Sequence, residues 1–126
     1  MERISTESAP AAVGPYSQAI VSGDLVFASG QLGTDDHGVL AGDIAAQTEN
    51  AIKHLSAVLI AAGSDLSFVV KTTCFLADIR DFAAFNAVYA QYFTEKPARS
   101  LIQAAALPKG SLVEIEAIAA RHKEVR

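Results

Sequence analysis

Cysteine is almost missing from this chain: Cys74 is the only one in 126 residues. A single thiol cannot close an internal disulfide, and it suits a reducing compartment. Charge is scarce as well, with 19% charged residues against 51% hydrophobic ones. No apolar run reaches the roughly 20 residues of a membrane span, so no membrane partner is expected. The opening residues lack the charged-then-apolar layout of a secretory leader. With the lone thiol, this sets the expectation of a cytoplasmic protein. His37, His54 and His122 stand apart and Cys74 has no ligand-type neighbour, so no metal site can be composed. Basic residues form no run beyond Arg121-His122-Lys123. Residues 1–50 carry seven acidic groups and one basic, and residues 51–126 carry nine basic and seven acidic, which leaves the chain at −4. That distribution lacks the basic footprint of a nucleic-acid surface.

What is present fits one domain spanning residues 1–126. It is apolar for that size, and small domains have much surface for little core. Some of the apolar surface is therefore expected to meet another copy of the chain.

Arg3 to Thr6 reads as a short edge strand, and Pro10 and Gly14-Pro15 mark a loop. Ser17 to Ser22 and Leu25 to Ser29 read as a hairpin turning at Gly23-Asp24. Gly30, Gly33, Asp35-Asp36 and Gly38 suggest a long polar connection. Asp43 to Ala62 is the clearest helix, with Ile44, Ala51, Leu55, Val58, Leu59 and Ala62 at three- and four-residue spacing. Asp43 is its expected cap and Gly63 its stop, with Gln47, Glu49, Asn50 and Lys53 on the outer face. Phe68 to Leu76 is β-branched and aromatic, hence a strand. A second helix runs from about Phe82 to Phe93, capped by Asp81 and ended by Pro97. Its stripe of Phe82, Phe85, Tyr89 and Tyr92 reads as core packing. Ser100 to Ala106 and Leu112 to Arg121 complete the set, joined through Pro108-Lys109-Gly110. Two helices and five or six strands make a two-layer α+β domain with a mixed sheet and both helices on one face.

The last strand alternates. Val113, Ile115, Ala117 and Ala119 point one way; Leu112, Glu114, Glu116 and Ile118 point the other. The first set suits the helix-covered face. The second mixes apolar area with two carboxylates, which suits a subunit interface holding a polar pocket. Arg99 sits just after a helix stop, at the mouth of an apolar strand. Its planar, permanently charged fork suits two-point recognition of a carboxylate. If the last two strands are neighbours, Arg99 approaches Glu116 to Ile118; otherwise Glu114 can meet an Arg99 from another subunit. On spacing alone, a plain Arg–Glu ion pair explains these residues better than catalysis. Cys74 reads as a buried free thiol.

A wider pattern then emerges. It comprises Ala9-Pro10-Ala11-Ala12, Gly14-Pro15-Tyr16-Ser17-Gln18, Ser29-Gly30-Gln31 and Val70-Lys71-Thr72-Thr73. It continues through Asn86 with Tyr89, Pro97-Ala98-Arg99-Ser100, Leu107-Pro108-Lys109 and Val113 to Ala119. In this order and spacing the chain resembles the reactive intermediate deaminases, the RidA/YjgF family, over nearly its whole length. The resemblance implies a chorismate-mutase-like fold and a homotrimer whose sheets form a central barrel, with sites between subunits. It implies hydrolysis of enamine/imine intermediates of the 2-aminoacrylate/2-iminopropanoate type to a 2-keto acid and ammonia, without a cofactor. By resemblance, Arg99 clamps the substrate carboxylate and Glu114 positions or activates water. Tyr16, Ser29, Gly30, Asn86, Ser100 and Leu101 line the substrate site.

The chain departs from that family at Leu101, where many members have a cysteine, and at Lys96, where many have an aromatic residue. Leu101 keeps open a non-catalytic small-carboxylate-binding or regulatory module. A ribonuclease or translation inhibitor ranks lower, because the acidic balance and scattered histidines argue against it.

Overall fold

A computed structural model describes residues 1–40 and 42–123. Eight main elements run in order: β1 (Glu2–Ile4), β2 (Ala19–Ser22), β3 (Leu25–Leu32), α1 (Ile44–Ala61), β4 (Val69–Leu76), α2 (Phe82–Tyr92), β5 (Ala98–Gln103) and β6 (Val113–Ala120). The strands form one mixed six-stranded sheet in the order β1-β2-β3-β6-β4-β5. Among the described residues the β4–β5 pair is parallel and the other strand pairs are antiparallel. The two-layer α+β reading holds.

α1 forms where its pattern predicts. The Asp43 carboxylate accepts from the Ala46 backbone N–H at 3.0 Å, satisfying one of the orphan donors of the first turn. Ile52, Leu55, Val58 and Leu59 are fully buried on its inner face. Each such side chain contributes about 1.5–3 kcal/mol on leaving water. Gly63 takes the left-handed turn at φ +81°, and the Ser64 and Gly63 N–H groups reach back to the Leu59 and Ile60 carbonyls.

Several expectations need correction. Gln47 is not on the outer face: it is buried, and its side-chain carbonyl accepts from the Leu112 N–H at 3.0 Å. Asn50 is half-buried, and its amide reaches the Gly33 carbonyl. Asp81 makes no side-chain cap to α2; Asp78 instead caps the short 3-10 turn before it. The strand after Gly23 does not stop at Ser29 but continues to Leu32 through a bulge. Above all, β5 and β6 are not neighbours. β4 lies between them, because β4, α2 and β5 form a parallel β-α-β crossover.

The alternation in β6 does hold. Val113, Ile115, Ala117 and Ala119 are buried, while Glu114 and Ile118 are half-buried and Glu116 is exposed. Among the described residues no helix covers the second face of the sheet, where Phe27 and Ile102 stand 43% and 51% exposed.

Candidate active site

Arg99 lies inside β5, beside Thr72 of β4, which in turn pairs with Ala117 of β6. Both of these neighbours are buried under the helices, so the Arg99 side chain rises on the helix-covered face. There its Nη1 donates to Asn86 Oδ1 of α2 at 2.7 Å. Its guanidinium carbon lies 4.8 Å from the centre of the Tyr89 ring, with Phe82 and Phe85 at 5.8 and 5.9 Å. A guanidinium has five N–H donors, and Asn86 is the one side-chain acceptor it meets among the described residues. The fork therefore has donors to offer a carboxylate. It opens on a cleft of about 490 Å³, lined in part by Asn86, Tyr89, Phe93, Thr94 and Lys96.

Glu114 occupies the other face, in register with Leu32 of β3 and Phe75 of β4. The β3–β6 register steps from Ala28↔Ala117 to Gln31↔Ile115, so Ser29 and Gly30 together oppose Glu116. Such a bulge re-aims the residues it carries. Here it brings Gly30 under the Glu114 side chain: a β-carbon on Gly30 would fall 2.8 Å from Glu114 Cδ. Ser29 is tied down by its hydroxyl, which donates to the Ser17 carbonyl at 2.6 Å. Glu114, Glu116, Ser29, Gly30, Tyr16 and Lys109 border a cleft of about 710 Å³. Partial burial pushes the Glu114 carboxyl above the usual carboxylate range, and the Glu116 charge adds to the push.

Asn86 and Arg99 are thus brought together, and so are Tyr16, Ser29, Gly30 and Glu114. The two sets stand on opposite faces of one sheet. Ser100, exposed on the Glu114 face, accepts from Lys71 Nζ at 3.0 Å. Leu101 packs half-buried against the core beside Cys74 and does not line the Arg99 cleft. Cys74 is indeed a buried free thiol, and burial pushes its pKa up to about 11.

One contributor escaped the sequence reading. Gln18 is buried; its carbonyl accepts from the Thr6 N–H at 2.7 Å, and its amide donates to the Pro10 carbonyl at 2.8 Å. It pins the loop whose residues Pro10 and Ala11 wall the Glu114 cleft. No periodicity marks such a residue. Tyr89 packs as its helical spacing predicts, and its ring also carries Arg99.

Residues 6–121 match the family model described as Endoribonuclease L-PSP. The chain is 49% identical over 119 residues to the human protein named 2-iminobutanoate/2-iminopropanoate deaminase, covering 92% of this chain and 87% of that one. The chain belongs to the RidA/YjgF family. The YjgF gene product of E. coli has the same fold at a TM-score of 0.92, 42% identity, and coverage of 97% of this chain and 100% of its own. Another solved RidA/YjgF relative, E. coli TdcF with bound serine, is 39% identical at a TM-score of 0.92, with 97% and 100% coverage.

Proposed function

We propose that this chain is a hydrolytic deaminase of reactive enamine/imine intermediates of the 2-aminoacrylate/2-iminopropanoate type, releasing a 2-oxo acid and ammonia. The observation that carries the proposal is the Arg99 guanidinium, fixed by Asn86 and Tyr89 yet with donors to spare. It meets the need of a substrate whose one invariant feature is a carboxylate beside the imine carbon. Charge-assisted bonds to such a group contribute about 1.5–3 kcal/mol. The human relative's name and the serine held by TdcF support the same ligand chemistry.

The chemistry asked of the protein is modest. Water adds its oxygen to the imine carbon, the carbon–nitrogen bond breaks, and ammonia leaves. Glu114 accepts a proton from the attacking water and passes it to the imine nitrogen, then takes the proton of the added hydroxyl and passes it to the same nitrogen as the carbon–nitrogen bond breaks, so both water protons end on ammonia; a raised carboxyl pKa favours this shuttling. Holding the carboxylate in the fork keeps the imine carbon near that water.

Arg99 and Glu114 face opposite sides of one sheet, so one chain cannot bring both to a small substrate. We infer a homotrimer in which Arg99 of one copy faces Glu114 of the next. The helix-free sheet face, with Phe27 and Ile102 exposed, supplies the apolar area for the contact. The lone buried thiol fits a cytoplasmic setting.

The description Endoribonuclease L-PSP raises a second reading. Two carboxylates on one cleft repel phosphates, and His54 and His122 are engaged with the Thr34 carbonyl and Asp65. The deciding experiment generates enamines in the assay with an amino-acid oxidase or dehydratase and follows ammonia and 2-oxo acid. Acceleration over buffer that disappears in Arg99→Ala supports the deaminase. No acceleration across several amino-acid precursors refutes it. Binding without turnover would identify a non-catalytic module, and Arg99-dependent RNA cleavage would identify the nuclease.

A further inference from the structure

We propose that Tyr89 is a positioning residue that sets the plane of the Arg99 guanidinium and thereby the affinity for the substrate carboxylate; this rests on the role given to Arg99 above. β5 is an edge strand of the sheet, and its residues are all exposed or half-buried. Core packing therefore holds the Arg99 backbone weakly, and the aim of the fork must come from side-chain contacts. Three aromatic rings and one amide supply them. Tyr89 is the nearest ring, 4.8 Å from the guanidinium carbon against 5.8 and 5.9 Å for Phe82 and Phe85, and Asn86 Oδ1 accepts from Nη1. The nearest ring constrains the plane of the fork most, and the bond to Asn86 its rotation within that plane.

Tyr89 is itself held at three points. Its hydroxyl shares a hydrogen bond of 2.8 Å with Thr72 Oγ1, its ring stacks on Phe93 at 4.3 Å, and Phe85 lies 5.5 Å away. Thr72 is the residue beside Arg99 in the β4–β5 register. The contacts thus close a ring: Arg99, its strand neighbour Thr72, the Tyr89 hydroxyl, the Tyr89 ring, and back to the guanidinium. A shift of α2 against the sheet edge would disturb both links that run through Tyr89, so the closed ring keeps the fork in step with its strand. The aromatic surface also sheds water from one face of the cation, which strengthens the bonds left on its rim.

The test measures inhibition by 2-oxobutanoate, and by its amide as a ligand without the carboxylate, in the intact protein. The variants are Tyr89→Leu, Tyr89→Phe and Arg99→Lys, with the Tyr89→Leu/Arg99→Lys double variant. Tyr89→Leu is expected to weaken 2-oxobutanoate about tenfold and leave the amide within about twofold. Tyr89→Phe keeps the ring and is expected to recover most of that loss. In the Arg99→Lys background, Tyr89→Leu should cost little more, since the plane it sets is gone. In turnover, the effect should appear in KM more than in kcat.

Equal weakening of acid and amide, or additive costs in the double variant, would reduce Tyr89 to a packing residue and overturn the proposal. So would Tyr89→Leu binding within twofold of the unmodified chain. If Tyr89→Leu does not fold, Tyr89→Met, which keeps the bulk without the aromatic face, decides. Loss of the acid-over-amide preference in that variant supports the proposal, and an unchanged preference overturns it. Failure of the underlying reading looks different: 2-oxobutanoate binding would then be insensitive to Arg99→Ala.

Discussion

Replacing Gly30 with alanine should separate activity from stability. Gly30 does not occupy the left-handed region, so its backbone accepts a side chain. The obstacle is Glu114: the new methyl carbon would lie 2.8 Å from its Cδ and 2.9 Å from its Cγ. Nonbonded carbons settle at about 3.5–4.0 Å, so the carboxylate must move about 1 Å. The far end of a side chain can yield, which keeps the folding cost near the low end for overpacking, about 1 kcal/mol. A displacement of about 1 Å at a reacting group costs on the order of a hundredfold in rate. Gly33→Ala supplies the contrast. Its methyl carbon would meet the Gln47 backbone, 2.6 Å from the carbonyl carbon, and a helix backbone cannot step aside. There the expected loss is about 3 kcal/mol or more of stability. The assays are ammonia release from enamine generated in place and the thermal midpoint of each variant. Gly30→Ala should lose most turnover with a shift of only a few degrees, about 4 °C. A Gly30→Ala protein with activity within twofold of the original would show that the Glu114 position does not govern the reaction.

Arg99→Lys should raise KM by about tenfold or more, because a point charge cannot make the forked contact; steady-state kinetics at saturating and limiting substrate give the answer. The acid limb of the rate profile should lie above the ordinary glutamate value of about 4.3, and Glu116→Gln should move it down, since it removes the second cause of the Glu114 shift. Stability gives the sign independently. A carboxyl raised in the folded state favours folding while protonated and costs stability as pH rises through its folded value. Glu114→Gln should therefore raise the thermal midpoint at pH 8 and lose that advantage near pH 4.

How much of this could be read beforehand depended on how local each feature is. Asp43, the spacing of α1 and the pleat of Val113 to Ala119 are set by neighbours a few residues away, and all three stand as read. The place of β6 is not local. The turn at Pro108-Lys109-Gly110 resembles a hairpin turn, but Lys109 and Gly110, both at positive φ, lie on a connection that carries the chain from β5 past β4 to the space between β3 and β4. The strand-helix-strand run from Val69 to Gln103 was the available signal, since a helix between two strands is the ordinary way to make them parallel. The same limit applied to the site. Arg99 and Glu114 could be named as chemistry-bearing residues, and the pleat gave Glu114 its face, but the face of Arg99 follows from register, and register depends on the misplaced strand. Gly30 enters the expected site through the family pattern alone; its physical reason is a carboxylate 84 positions along the chain.

Opposite faces make a quantitative demand on the assembly. Suppose each site takes Arg99 from one copy and Glu114 from the next. An Arg99→Ala chain then still offers a working Glu114, and a Glu114→Gln chain still offers a working Arg99. Mixed at random in equal amounts around a cyclic trimer, about a quarter of the interfaces would join the two intact residues. Co-expressed under two tags and purified through both, the mixture should recover a sizeable fraction of activity from two variants that are each nearly inactive. A site built within one chain predicts no recovery, because every chain would keep its own lesion. Mixed assemblies that stay as inactive as either parent would therefore refute the shared site while leaving the individual roles of Arg99 and Glu114 to the single variants.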